Sequence, residues 1–166
     1  RLILPVCLLL GFCWHCGRPE GKVNRPAYER MLNLLLSDAV PQLSVAKVDS
    51  LPAPVLLDAR SREEYEVSHL PNARWIGYEA FDSSVVADLP RDTTLLVYCA
   101  VGYRSEKISQ QLQEMGFKSI RNLYGGIFEW VNQGEPIVTP EGQPTDSVHG
   151  YSKTWSRWLD RGEVVY

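Results

Sequence analysis

Two apolar runs constrain this chain more than any other feature, because each passes straight into a helix-start pattern. "VLLDAR" at residues 55–60 and "TTLLVYC" at residues 93–99 are continuously apolar before they meet polar residues. Continuous rather than alternating runs suit strands covered on both faces, as in a parallel sheet. After the first run, Ser61 with Glu64 three residues on forms a capping-box pattern that opens a short helix. After the second, "SEKISQQLQEMGF" places Ile108, Leu112 and Met115 on one helical face, and Gly116 supplies the stop. "NARWIG" and "SIRNLYG" read as further short strands, "GGIFEWVNQG" as a last helix, and residues 78–87 as a weaker one. Upstream, "RPAYERMLNLLL" has helical spacing and "SDAVPQLSV" enters a short strand. Strand and helix alternating over short connections predict an α/β domain with a mainly parallel sheet, and ligands in such sheets bind beyond the C-terminal strand ends.

Cys99 stands at such an end. The loop "AVGYR" leads from it directly into the helix, so backbone N–H groups and the helix dipole should converge on the sulfur and stabilise an anion there. Gly102 lets the backbone curl tightly, Arg104 adds a fixed positive charge, and Ser105 is placed to cap the helix and donate to a ligand. Ala100, Val101, Gly102, Tyr103, Arg104 and Ser105 are therefore the candidate binding loop around a candidate catalytic Cys99. The competing reading is a buried cysteine acting as a small hydrophobe.

A length of 166 residues, 45% of them hydrophobic, suits one core with additions at both ends. The formal charge of -3 gives no basic face for nucleic acid, so that partner class is set aside. Residues 2–12 form an apolar run after Arg1, the length of the core of an export signal and short for a membrane span. Residues 1–20 are accordingly expected to direct export to the cell envelope, with membrane association through the N-terminus as the variant. Cys7, Cys13 and Cys16 lie in this segment, and its removal would leave Cys99 as a lone thiol worth flagging as reactive. "CWHCG" also has metal or redox spacing, but no second ligand pair follows it; no metal and no cofactor are expected.

Residues 21–40 hold the leading helix, residues 41–134 the domain, and residues 135–166 a Pro/Gly-containing linker and an aromatic tail. In "YSKTWSRWLDRG", Tyr151, Trp155, Trp158 and Leu159 share helical spacing. That helix either folds back onto the domain or docks on a membrane surface or a partner, and both readings stay open.

Three segments in order resemble the rhodanese family. "VLLDARSREEYEVSHLPNARWI" resembles its first signature, with Asp58, Arg60, Glu64, Tyr65, His69, Pro71 and Ala73 in place. "LLVYCAVGYRS" resembles the active-site loop of single-domain members, and "NLYGGIFEW" their closing segment. Asn72 and Ser68 stand where glycines are common, departures that touch a turn. The resemblance implies a five-stranded parallel sheet flanked by helices. It also implies sulfur transfer: Cys99 takes sulfane sulfur from a small sulfur-containing anion such as thiosulfate, holds it as a persulfide and passes it to cyanide, a thiol or a protein acceptor. A sulfur carrier or redox-sensing module with slow turnover of its own is the alternative. Branches of the fold that act on phosphate or arsenate resemble C-x5-R, and here only four residues separate Cys99 from Arg104, which fits a sulfur-sized cradle. Asp58 and Arg60 are read as loop anchors, His69 as a structural hydrogen-bonder, Phe128 and Trp130 as core, and Arg74 and Tyr103 as candidates for the pocket mouth.

Overall fold

The computed structural model describes residues 23–166. The segment expected to direct export, with Cys7, Cys13 and Cys16, lies outside the described residues. Five parallel strands build one sheet: β1 (Gln42–Leu43), β2 (Val55–Asp58), β3 (Arg74–Trp75), β4 (Thr94–Tyr98) and β5 (Ser119–Leu123), in the order β1-β5-β4-β2-β3. β4 lies at the centre, paired with β2 from Val55 opposite Leu95 to Asp58 opposite Tyr98, and with β5 on its other side. Its side chains alternate between two cores, as the strand period requires. Leu95 and Val97 join Leu57, Ile120, Phe117 and the apolar face of α3 (Tyr103–Glu114), which carries Ile108 and Leu112. Leu96 and Tyr98 face the opposite side, where α1 (Pro26–Leu35) contributes Tyr28 and Leu32 and α4 (Gly126–Asn132) contributes Ile127 and Phe128. The central strands β2 and β4 are covered on both faces, which is why their runs are nearly continuously apolar.

Local signals set the helix starts. Pro26 occupies the first turn of α1, where its missing N–H costs nothing. α2 (Arg62–Val67) opens on the capping box, with Ser61 Oγ accepting from Glu64 N (3.3 Å) and Glu64 accepting from Ser61 N (3.1 Å). The weaker helix expected over residues 78–87 is instead a 3-10 turn, Ser83–Val86. Asp82 explains the difference: its carboxylate accepts from both Ser84 N and Ser84 Oγ, a local bond that competes with continuing a helix. Asn72 adopts φ 62°, the left-handed turn in which a glycine is common and which asparagine tolerates among non-glycine residues.

The chain after α4 returns to the domain. β6 (Ile137–Val138) pairs antiparallel with β7 (Pro144–Thr145), and β8 (Ser147–His149) pairs parallel with β9 (Glu163–Val165). The aromatic stretch between them forms turns and a 3-10 turn, Ser156–Trp158, in place of the expected amphipathic helix. So short a helix is marginal alone, and its aromatic side chains are engaged by the domain instead. Trp158 stacks on Tyr28 with ring centroids 5.1 Å apart, and Arg25 Nη1 meets Asp160 at 2.8 Å. Asn132 brackets the turn, donating to Trp158 O (2.8 Å) and accepting from Asp160 N (2.7 Å). Of the two readings of the tail, this is the folded-back one. No helix among the described residues is long and apolar enough to cross a membrane.

Candidate active site

β4 delivers Cys99 to the C-terminal edge of the sheet one residue past Tyr98, and the thiol is 1% exposed. The loop then reverses into α3 through Gly102, whose φ of 115° admits little but glycine. That reversal turns Gly102 N–H back onto Cys99 Sγ at 3.1 Å. The loop carbonyls point away from the sulfur into fixed partners: Cys99 O accepts from Ile127 N (2.9 Å) and Ala100 O from Phe128 N (3.1 Å), both in the first turn of α4. Gly126 makes this docking possible, because a Cβ there would overlap the carbonyl oxygens of Cys99 and Ala100. Gly102 O is held by Asn122 Nδ2 from β5 at 2.9 Å.

Ser105 belongs to this scaffold and not to the ligand surface. It is fully buried, its Oγ donating to Asn122 Oδ1 (2.7 Å) and lying 3.1 Å from Gly102 O. The expected helix cap is corrected as well, since Gly102 occupies the N-cap and Ser105 sits inside the helix.

The fixed positive charge that Arg104 brings is paired. Its guanidinium forks onto Glu64, with Nη1 2.6 Å from Oε2 and Nη2 2.8 Å from Oε1, and its face lies 5.0 Å from the Tyr151 ring centroid. A bidentate pair of this kind fixes orientation as well as charge. Burial pushes the Glu64 carboxyl up, but hydrogen bonds from Arg104, the charges of Arg104 and Arg60, and Ser61 N–H outweigh it and hold the group below its ordinary 4.5. Burial works against the Arg104 cation, yet Glu64 and Cys99 leave its pKa raised.

Asp58 and Arg60 are both fully buried and outside the pocket lining. Asp58 accepts from Arg60 N (2.9 Å), Nε and Nη2, and Arg60 Nη2 also reaches Ser68 O (2.6 Å), tying the end of β2 to the turn before β3. Ser68 Oγ donates in turn to Ser147 O (2.7 Å), so this departure from glycine joins the domain to the tail. His69 stacks on Tyr65 at 3.9 Å, and its backbone bridges Val138. Phe128 and Trp130 are buried.

Cys99 borders a pocket of about 210 Å³. Among the described residues it is lined by Cys99, Ala100, Val101, Tyr103 and Arg104 from the loop and the start of α3, by Leu35 at the end of α1, and by Tyr151 and Trp155 from the tail. Tyr103, 41% exposed, lines the pocket. Arg74 does not: it sits on β3 beside Val85 O (3.2 Å) and Asp88 (3.7 Å), outside the pocket lining.

The Rhodanese-like domain model matches residues 44–133, and all three segments singled out in the sequence fall in that range. The chain belongs to the rhodanese-like domain family. Among relatives of this domain, a protein of Allochromatium vinosum named Sulfurtransferase is 30% identical over 112 residues, covering 68% of this chain and 100% of that protein. The "Adenylyltransferase and sulfurtransferase uba4" of Ogataea parapolymorpha is 30% identical over 95 residues, 57% of this chain but only 24% of that longer protein. A crystal structure of thiosulfate sulfurtransferase from Pseudomonas aeruginosa shares the fold, with TM-score 0.55 at 24% identity over 70% of this chain and 23% of that one. Leu35, Tyr151 and Trp155 lie outside the matched rhodanese-like segment, so one wall of the pocket is supplied by the additions at either end.

Sequence reasoning missed Glu64 as the partner of Arg104, 40 residues away, because its capping role already explained it. Asn122 and the aromatic wall were missed too. Nothing local marks a residue that acts across the sheet.

Proposed function

We propose that this rhodanese-like domain is a sulfurtransferase in which Cys99 carries the sulfur. The observation behind the reading is the placement of Cys99: a free thiol at the end of the central strand, in the lining of a pocket, with Gly102 N–H directed at its sulfur. The sulfurtransferase names of the relatives support it.

In the first half-reaction the Cys99 thiolate attacks the outer sulfur of a sulfane donor. With thiosulfate, the new S–S bond forms as the old one breaks, and sulfite departs with the bonding pair. Cys99 then carries a persulfide anion, toward which the Gly102 amide and the first turn of α3 present partial positive charge. In the second half-reaction cyanide or a thiolate attacks the terminal sulfur, and the Cys99 thiolate returns. Covalent transfer in two halves requires ping-pong kinetics. With thiosulfate and cyanide as the substrate pair, double-reciprocal plots should be parallel, and Cys99→Ser should lower turnover by at least about a thousandfold. Retained turnover in that variant would overturn the assignment. A sulfur adduct on Cys99 without turnover would instead mark the domain as a carrier that serves a protein acceptor. Export to the cell envelope is part of the proposal and is supported by the apolar run at residues 2–12.

A further inference from the structure

The pocket wall contributed from outside the rhodanese-like segment bears on which donor fits. Of the eight described residues lining the pocket, Leu35, Ala100, Val101, Tyr103, Tyr151 and Trp155 are aliphatic or aromatic. Among the described residues Arg104 is the one cation in the lining, and both arms of its guanidinium are taken by Glu64 while Tyr151 covers its face. The Gly102 amide and the start of α3 present about half a unit of positive charge, and the sulfur itself already brings a full negative one. Among the described residues of the lining, an inorganic dianion finds no unpaired cation for its second charge. A volume of about 210 Å³ does accommodate an aromatic ring, since an apolar cavity of ~150 Å³ already holds benzene.

We infer that the site selects sulfane donors whose departing group carries a compact apolar or aromatic arm, and that Tyr151 and Trp155 determine this specificity. The inference rests on the reading of Cys99 as the sulfur acceptor. For a thiosulfonate, R–SO2–S⁻, the Cys99 thiolate attacks the terminal sulfur, the S–S bond to the sulfonyl sulfur breaks, and the sulfinate R–SO2⁻ leaves with the pair. Cys99 keeps the persulfide anion, and two negative charges stand on each side of the step. The arm R stays on the leaving group, against the Tyr151 and Trp155 rings. Tyr151 is half exposed, and its φ of 60° already lies in the left-handed region, so replacing it neither opens a core nor adds backbone strain.

The test compares kcat/KM for benzenethiosulfonate, methanethiosulfonate and thiosulfate with cyanide as acceptor, on the full chain, on Tyr151→Ala and on Trp155→Ala. Each rate is divided by that of the same donor with a small thiol in solution, which removes intrinsic reactivity. The corrected benzene-to-methane ratio should be on the order of tenfold, the worth of burying part of a ring. It should fall at least about threefold in Tyr151→Ala and Trp155→Ala, and Tyr151→Ala decides alone if the tryptophan variant fails to fold. A corrected ratio near one, or a ratio unchanged in the variants, would overturn the selectivity while leaving sulfur transfer standing. Absence of Cys99-dependent transfer from all three donors would sink both readings together.

Discussion

Glu64 closes the capping box of α2 and, with the same carboxylate, takes both arms of Arg104. Its folded pKa lies below its ordinary 4.5, so the ionised form stabilises the fold. That contribution is complete above about pH 4.5 and is lost as the pH falls through the depressed folded value. Glu64→Gln should cost about 3 kcal/mol at neutral pH, because it leaves a largely buried cation without its counter-charge. The gap in melting temperature between wild type and variant should narrow as the pH is lowered past about 4.5. A gap constant down to about pH 3 would contradict the pairing. The same substitution releases Arg104 toward the pocket, so the KM for thiosulfate should fall about threefold, the worth of one partly exposed ion pair. A thiosulfate KM unchanged or raised would show that Arg104 is not held back by Glu64.

At the scale of elements, the cradle is a strand end clamped by two helices, α3 through Gly102 and α4 through Gly126. Gly126→Ala would place a methyl group against the carbonyls of Cys99 and Ala100, where a Cβ meets Ala100 O at 2.5 Å, and its φ of 57° adds strain. The expected loss is about 3 kcal/mol of stability, with a fall on the order of tenfold in the rate of sulfur loading as the loop is displaced. Loading at the wild-type rate would mean that α4 does not position the loop. These long elements were legible in the sequence because β2, β4, α3 and α4 each carry a full period of apolar residues, a cap or a glycine stop. β6 to β9 were not, since strands of two or three residues are too short to display a period. The loop from Cys99 to Arg104 was legible as a candidate cradle because its glycine, arginine and helix start are local. Glu64 and Asn122 reach it only once β2, β4 and β5 lie side by side, and no spacing rule encodes that. Ser105 was misread for the same reason, its hydroxyl being committed to Asn122 across the sheet.

For the molecule as a whole, the ends complete what the central rhodanese-like segment begins. The tail is held to the domain by Asn132, by the stacking of Trp158 on Tyr28, and by Arg25 with Asp160. Asn132→Ala removes the partners of Trp158 O and Asp160 N and should cost about 1 to 3 kcal/mol. Hydrogen exchange should then accelerate in β8, the 3-10 turn and β9 ahead of the central sheet, and uniform acceleration would show that the tail is not a separately secured unit. The central claim is that Cys99 takes up sulfur as a persulfide, and intact mass measures it most directly. The full chain, incubated with thiosulfate or benzenethiosulfonate alone and freed of donor, should gain the mass of one sulfur atom and lose it on addition of cyanide. Cys99→Ser should gain nothing. An unchanged wild-type mass with every sulfane donor, or the same gain in Cys99→Ser, would contradict the account.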